Sequence, residues 1–218
     1  MDWEALRLSL LLAIATGLVL IPAGVMVARG LAYADFRGKS IVEAAIAIPL
    51  VLPPTVLGHY VLTVMGGASP LGAFYERMTG SPLAFSFEGL LVGSLIFNLP
   101  FALMPMERAF ESIPVEVRQA AECCGLSWHR TMWRIELPLA WPGIVSALVM
   151  TIAHTVGEFG VVLMVGGNIP GETRTIAISI YDRVQAFDMG AAGAMSAFLL
   201  VFSLVTLALT SRLSRRVW

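Results

Sequence analysis

The chain has 218 residues and a mean hydropathy of +0.81, and 57% of its residues are hydrophobic while only 13% are charged. Soluble domains carry about 25% charged residues, so this composition excludes a soluble globular protein and indicates a protein embedded in a lipid bilayer. No nucleic-acid partner is expected.

Five apolar segments are long enough to cross a membrane as helices. A hydrocarbon core ~30 Å thick needs ~20 helical residues, because lipid offers backbone polar groups no other partner. A sixth segment, Thr175–Gln185 within residues 174–186, is too short to span, and we predict a half-length or interfacial helix there. The sequence thus predicts an all-α polytopic membrane protein with a single transmembrane domain, residues 1–218. The five predicted spans are Leu8–Val27, Ala44–Met65, Gly89–Met106, Ile144–Val165 and Ala191–Thr210.

The distribution of Lys and Arg predicts the orientation, since both residues favour the cytoplasmic side of a membrane. With five spans and an outer N-terminus, ten of the 14 basic residues lie inside and four outside. We therefore predict an inner-membrane protein with its N-terminus outside and its C-terminus in the cytoplasm. The inner residues are Arg29, Arg37, Lys39, Arg108, Arg118, Arg130, Arg134, Arg212, Arg215 and Arg216, and the outer ones are Arg7, Arg77, Arg174 and Arg183.

Prolines and polar residues interrupt the second and third spans. Pro53 and Pro54, followed by Thr55, fall inside the second span, where proline removes a helix hydrogen bond and bends the axis. Ser94 and Asn98 share one face of the third span. Such groups either line a water-filled path or hydrogen-bond to a neighbouring helix, and the residues alone favour neither. All five are candidates for a pore or gate, with interhelical packing as the alternative.

His154 and Glu158 are four residues apart and would share one face of the fourth span. One interpretation is a proton relay in a stand-alone secondary transporter. The other, which we favour, is a gate residue in which the carboxylate pairs with Arg174 or Arg183, because ion pairs account for most such groups. Asn168, Arg174 and Arg183 are then the predicted outer mouth.

The longest polar segment between spans, residues 109–138, contains QAAECCGLSWHRTMWRIELP. Small and apolar residues recur there at helical spacing, and Gly125 suits the left-handed residue that follows a helix. Ser127 is expected to cap a second, short helix through Arg134, before the next span. Ala120 and Ala121 allow close approach by another surface, and on physical grounds that surface is either a protein or the bilayer.

The segment resembles the cytoplasmic-loop motif of the permeases of ATP-binding-cassette (ABC) importers, which reads E-A-A, three residues, G, nine residues, I-x-L-P. Both spacings are kept here, although Gln replaces the first Glu. The resemblance implies the ABC type I importer permease fold, with residues 109–138 as a coupling loop that docks in a groove of a separate ATPase subunit. The residues it assigns to docking are Gln119, Ala120, Ala121, Gly125, Ile135, Leu137 and Pro138.

Three further segments resemble the molybdate branch of the oxyanion permeases. They are LVLPPTVLG at Leu50–Gly58, GEFG at Gly157–Gly160 and NIPGETRTI at Asn168–Ile176, and sulfate permeases have similar segments. The resemblance implies a permease for molybdate, with tungstate as a further cargo. The alternatives are a permease for sulfate or another oxyanion, and the stand-alone proton-coupled transporter.

The implied assembly contains a second copy of this chain, two cytoplasmic ABC ATPase subunits and an extracytoplasmic oxyanion-binding protein. Gly38-Lys39-Ser40 looks like the end of a phosphate-binding loop, but Tyr33 stands where that loop needs glycine. We therefore expect a non-catalytic chain without a cofactor of its own, with ATP and Mg²⁺ on the partner ATPase.

Overall fold

The computed structural model describes residues 1–215, with side chains through residue 208. Arg216 and the side chains of Arg212 and Arg215, which contribute to the orientation prediction, lie outside the described residues. Within this range the chain is helical and has no β-strand. The helices are α1 Trp3–Tyr33, α2 Lys39–Val51, α3 Pro54–Met65, α4 Pro70–Thr79, α5 Phe87–Glu111, α6 Val115–Cys123, α7 Trp128–Thr131, α8 Leu137–Gly157, α9 Gly160–Gly166, α10 Ile176–Gln185 and α11 Met189–Arg215, and a π-helical turn, Met132–Glu136, joins α7 to α8.

Four described helices are long and apolar enough to cross a membrane: α1, α5, the continuous helix Trp128–Gly157, and α11 over Met189–Ala208. The predicted all-α membrane fold is confirmed. The second predicted span differs, because α2 and α3 meet at an angle of 111° and form a fifth span only if they are taken together. The break falls at Leu52 and Pro53, where proline cannot donate the hydrogen bond that a continuous helix needs.

The fourth span differs from its predicted bounds at both ends. The expected short helix after Ser127 is the start of a helix that runs unbroken to Gly157, and the Ser127 side chain makes no capping bond. The π-helical turn makes this continuity possible. The amide of Leu137 bonds to the carbonyl of Met132, five residues back, so a wider turn precedes Pro138. Beyond Gly157 the backbone becomes extended, and the short α9 completes the predicted segment.

Apolar clusters pack the spans against one another, and two of them lie at opposite ends of α5. Near the α6 end, α1, α5 and α8 bury Ala28, Met106, Phe110 and Ile144, among others. In the other half, α3, α5 and α9 pack through Leu57, Val61, Phe97, Val161 and Val165. Many large apolar side chains remain exposed on the outside, as a lipid environment requires.

The helix α10 is tied to the start of α1. It has 10 residues, about 15 Å, which agrees with the predicted half-length helix. Asp2 Oδ1 accepts a hydrogen bond from the Ala5 amide at 3.0 Å, and Oδ2 accepts one from the Ser179 hydroxyl at 2.8 Å. Burial alone would raise the pKa of Asp2, but these bonds, with the charges of Arg174 and Arg183, hold that pKa below its ordinary value.

Candidate coupling and gate sites

The helix α6 carries the first half of the loop motif and turns most of its surface outward. Gln119 and Ala120 are exposed, while Ala121 is only 4% exposed and Val117, one turn earlier, packs against the core. The expectation that both alanines face a partner is therefore wrong for Ala121. On a helix, successive residues are rotated by about 100°, so neighbours cannot share one narrow face.

The predicted end of this helix is confirmed. Gly125 has φ of +71°, and its amide bonds to the carbonyl of Glu122 at 2.9 Å. A Cβ atom at Gly125 would meet nothing within 4 Å, so the backbone conformation and not space calls for glycine. The amide of Leu126 bonds to the Ala121 carbonyl at 3.1 Å and completes the turn.

The second half of the motif surrounds a buried carboxylate. Ile135 and Leu137 are half-buried, Pro138 is exposed, and Glu136 between them is fully buried. Arg29 Nε donates to Glu136 Oε2 at 2.5 Å and Arg29 Nη2 donates to Oε1 at 3.2 Å. Sequence reasoning missed Glu136 because it occupies the variable position of I-x-L-P. The available signal was an acidic residue between two apolar ones at the entry to a span.

Aromatic rings pack around the same arginines. The guanidinium carbon of Arg118 on α6 lies 3.7 Å from the centre of the Tyr33 ring, and Arg118 Nε is 3.5 Å from Glu136 Oε1. Arg29 lies 5.4 Å from the Tyr33 ring and 5.6 Å from the Trp128 ring. Contacts of this length between cations and rings are attractive, so the rings reinforce the ion pairs.

The gate candidates Pro53, Pro54 and Thr55 are exposed at the break between α2 and α3. Behind them α3 rests closely on α9. A Cβ atom on Gly160 would lie 2.6 Å from Pro54 Cβ, and one on Gly58 would lie 2.8 Å from Met164 Cβ. Both distances are shorter than real Cβ contacts, so glycine at these positions allows α3 to approach α9 this closely. The contact of Gly160 with Pro54 joins two of the quoted segments, LVLPPTVLG and GEFG.

Ser94 and Asn98 belong to a buried hydrogen-bond network. Thr16 Oγ1 donates to Ser94 Oγ at 2.8 Å. Asn98 Nδ2 donates to the Ser94 carbonyl at 2.8 Å and to Thr155 Oγ1 at 3.0 Å. These bonds link α1, α5 and α8, and Asn98 has 0% exposed surface. For these two residues the geometry supports the packing alternative.

His154 and Glu158 do not share a helix face, so that prediction is wrong. The helix ends at Gly157, and Glu158 has extended backbone with φ −70° and ψ 133°. His154 Nδ1 lies 3.3 Å from Asn98 Oδ1, and its ring packs against Phe97 and Phe101. The relay interpretation rested on that shared face and loses its basis.

The carboxylate of Glu158 caps α9 instead of pairing with an arginine. Its Oε1 accepts a hydrogen bond from the Val161 amide at 2.7 Å, and across the side chains that the structure describes it has no ion pair within 4 Å. The expected pair with Arg174 or Arg183 is therefore wrong. Glu158 and Ser94 line a cavity of about 10 Å³, with room for about one water molecule.

Two of the three predicted mouth residues come together. Arg174 Nε donates to Asn168 Oδ1 at 2.6 Å, and Asn168 Nδ2 donates to Asp182 Oδ2 at 2.7 Å. Arg183 turns away and pairs with Asp188 at 3.2 Å, at the corner between α10 and α11. Asn168 and Arg174 thus form a local network on the α9–α10 connection, joined to α10 through Asp182.

Comparison with known proteins finds one family whose model matches most of the chain, including the α6 motif. Residues 20–218 match the family model described as the binding-protein-dependent transport system inner membrane component. The chain belongs to this family of transport permeases. The match covers both the α6 motif and the three segments quoted above, residues 50–58, 157–160 and 168–176.

Relatives of this permease include two proteins named as molybdenum transport system permeases. The one from Azotobacter vinelandii is 43% identical over 206 residues, which are 94% of this chain and 91% of that protein. The one from Haemophilus influenzae is 34% identical and covers 100% of this chain and 95% of the relative. A solved bacterial ABC transporter for alginate import has the same fold, with a TM-score of 0.75 at 19% identity over 98% of this chain and 78% of that one.

Proposed function

We propose that this chain is the membrane-spanning permease subunit of an ATP-driven importer that carries molybdate, with tungstate as a second cargo. The observation that carries the proposal is the exposed α6, ended by Gly125 and spaced as the coupling motif requires, in a chain whose relatives are named molybdenum permeases. ATP hydrolysis then belongs to a separate subunit.

The proposed assembly has two copies of this chain, two cytoplasmic ATPase subunits below α6, and an extracytoplasmic binding protein above α10. This arrangement is supported by the positions of α10 and α6, which contact opposite ends of α1. Asp2, at the start of α1, binds α10, whereas Arg29, near its end, binds the π-helical turn between α7 and α8, which also pairs with Arg118 of α6. If α6 faces the cytoplasm, the N-terminus is outside, in agreement with the charge distribution.

The pathway would lie between the two copies, along the exposed break at Pro53, Pro54 and Thr55. Ser94, Asn98 and Glu158 then stand behind this wall, where they hold α5, α8 and α9 in register. ATP closes the ATPase pair and displaces both α6 helices, and hydrolysis resets them. The ATPase can shift this two-state equilibrium only through contacts that differ between the states.

Weak cargo binding is part of this proposal. A deep energy well in the pathway would slow release to the cytoplasm, so selection among oxyanions is assigned mainly to the binding protein. The competing functions are a sulfate permease, favoured by the shared LVLPPTVLG-like segment, and the stand-alone transporter, which no longer has a relay to support it.

Reconstitution into liposomes tests the function. The chain is purified with its ATPase and binding protein, and ATP-dependent uptake of molybdate, tungstate and sulfate is measured side by side. We expect ATPase activity stimulated by the molybdate-loaded binding protein, and molybdate uptake that sulfate does not match. Uptake without ATP would refute the importer, and sulfate uptake at the same rate would refute the assigned cargo.

The docking surface has its own test. Ala120→Trp places a large ring on the exposed face of α6 and should prevent co-purification of the ATPase. Ala68→Trp, an exposed alanine in the connection between α3 and α4, is the matched control and should retain the ATPase. Equal recovery of ATPase with both variants would contradict docking on this face.

A further inference from the structure

A buried ionic cluster joins α6 to the membrane spans. It consists of Glu136 on the π-helical turn, Arg29 near the end of α1 and Arg118 on α6, and we call it the Glu136 cluster. The Glu136 side chain is fully buried, while those of Arg29 and Arg118 are 20% and 29% exposed. One carboxylate therefore bonds two helices in addition to its own.

The attachment of α6 depends heavily on this cluster. The helix has 9 residues, too few to be stable alone in water, so its position comes from contacts with the rest of the chain. Its inward face consists of Val117, Arg118 and Ala121, and its other residues are exposed. Of these three, Arg118 makes the charged contact, and its guanidinium also covers the Tyr33 ring of α1.

The π-helical turn helps to explain why the carboxylate reaches this position. One extra residue in a turn rotates the helix that precedes it relative to the helix that follows, and such turns are frequent at functional sites. The turn ends at Glu136, immediately before the long apolar helix α8 begins. The carboxylate thus lies where the loop becomes a span.

The geometry points to a mechanical joint. We propose that Arg118 and Glu136 are positioning residues that transmit displacement of α6 to α1 and to the helix Trp128–Gly157. The inference rests on the proposed function, since an ATPase must move α6. A displacement of α6 moves Arg118, which pairs with Glu136, and Glu136 is bonded to Arg29 of α1 at the same time. A movement of α6 without the spans would take one of its two arginine partners away from the buried carboxylate and would uncover the Tyr33 ring, and both changes cost free energy.

The test removes one arm of the joint and keeps the buried charge paired. In Arg118→Gln, Arg29 still neutralises Glu136, so the chain should fold and bind its ATPase. The quantity measured is molybdate imported per ATP hydrolysed, in liposomes that contain the complete transporter. We expect the ratio to fall about tenfold, in the usual range of coupling between distant sites, and Arg118→Lys to restore part of it.

The control is Arg37→Gln, which removes an exposed arginine between α1 and α2 and should leave the ratio at its wild-type value. An unchanged ratio in Arg118→Gln would overturn the joint alone. Loss of the ATPase on purification would also overturn it, because the role would then be assembly. A wild-type complex without ATP-dependent uptake would overturn the proposed function, and the joint with it.

Discussion

Replacement of Asn98 by leucine tests whether Asn98 packs helices together or lines a pore. Leucine has similar volume and no hydrogen-bonding group. Two neighbours of Asn98 keep other partners after the change, because Ser94 Oγ still accepts from Thr16 and Thr155 Oγ1 still donates to the Thr151 carbonyl at 2.7 Å. The loss then consists of the bonds that Asn98 donates and of the 3.3 Å contact between its Oδ1 and His154 Nδ1.

The expected cost follows from the number of those bonds. Asn98 Nδ2 has two protons and three acceptors within 3.2 Å, so it makes two full hydrogen bonds at a time. A side-chain hydrogen bond between membrane helices contributes about 0.6 kcal/mol on average and about 1.7 kcal/mol at most. We expect Asn98→Leu to lower the free energy of unfolding by about 1–3 kcal/mol, and Asn98→Ala to cost more because it also leaves a cavity.

Thermal unfolding in detergent, followed by tryptophan fluorescence, measures this loss. For a chain of this length about 2–4 °C is lost per kcal/mol, so the midpoint should fall by about 2–12 °C. Thr63→Val is the control, since Thr63 is exposed and bonds only within its own helix. The ratio of molybdate to sulfate uptake should not change. An unchanged midpoint together with an altered uptake ratio would refute the packing role and restore Asn98 to the pore.

Three other substitutions test contacts described above. Gly160→Ala places a Cβ atom 2.6 Å from Pro54 Cβ, and overpacking of this kind costs about 1–3 kcal/mol, so the unfolding midpoint in detergent should fall. Thr173→Val removes a buried hydroxyl that donates to the Gly166 carbonyl at 2.6 Å and accepts from the Ile169 amide at 3.1 Å. This change should lower the free energy of unfolding by about 1–3 kcal/mol and the same midpoint with it. Asp2→Asn should destabilise the chain at neutral pH; because the folded pKa of Asp2 is lowered, the difference from wild type should shrink as pH falls from about 4. A difference that persists at lower pH would show that the bond to Ser179 does not depend on the charge.

Local signals in the sequence predicted local structure well. Gly125 marked the end of α6, the short apolar segment marked α10, and Pro53 marked the break in the second span. Each of these features depends on backbone geometry within a few residues. The short helix predicted to end at Arg134 continues instead, because a π-helical turn just before Pro138 lets the helix run on into the span.

Features that depend on distant partners could not be predicted in the same way. Glu136 is bonded to Arg29, 107 positions away in the chain, and no spacing rule connects them. Glu158 was assigned to a helix face because the apolar run continues past it, yet the backbone leaves the helix there and the carboxylate caps α9. Ala121 was placed on the docking face because the motif contains it, while helix rotation turns it inward.

The break between α2 and α3 has a consequence for the hydrogen-bonding groups that it exposes. The start of a helix normally leaves four amide groups without a partner. Here Pro53 and Pro54 have no amide hydrogen, and the Val56 amide bonds to the Pro53 carbonyl at 2.9 Å. Within the described chain, Thr55 is left as the one amide of this turn without a backbone acceptor.

The carbonyl groups of residues 49–52, by contrast, accept no backbone hydrogen bond from any described residue. The break is therefore rich in acceptors and poor in donors. A tetrahedral oxyanion needs donors, so at this point it would be solvated by water far more than by protein backbone. If the proposed pathway follows this break, the paired prolines form a bend between two helices that offers the anion few groups to bind.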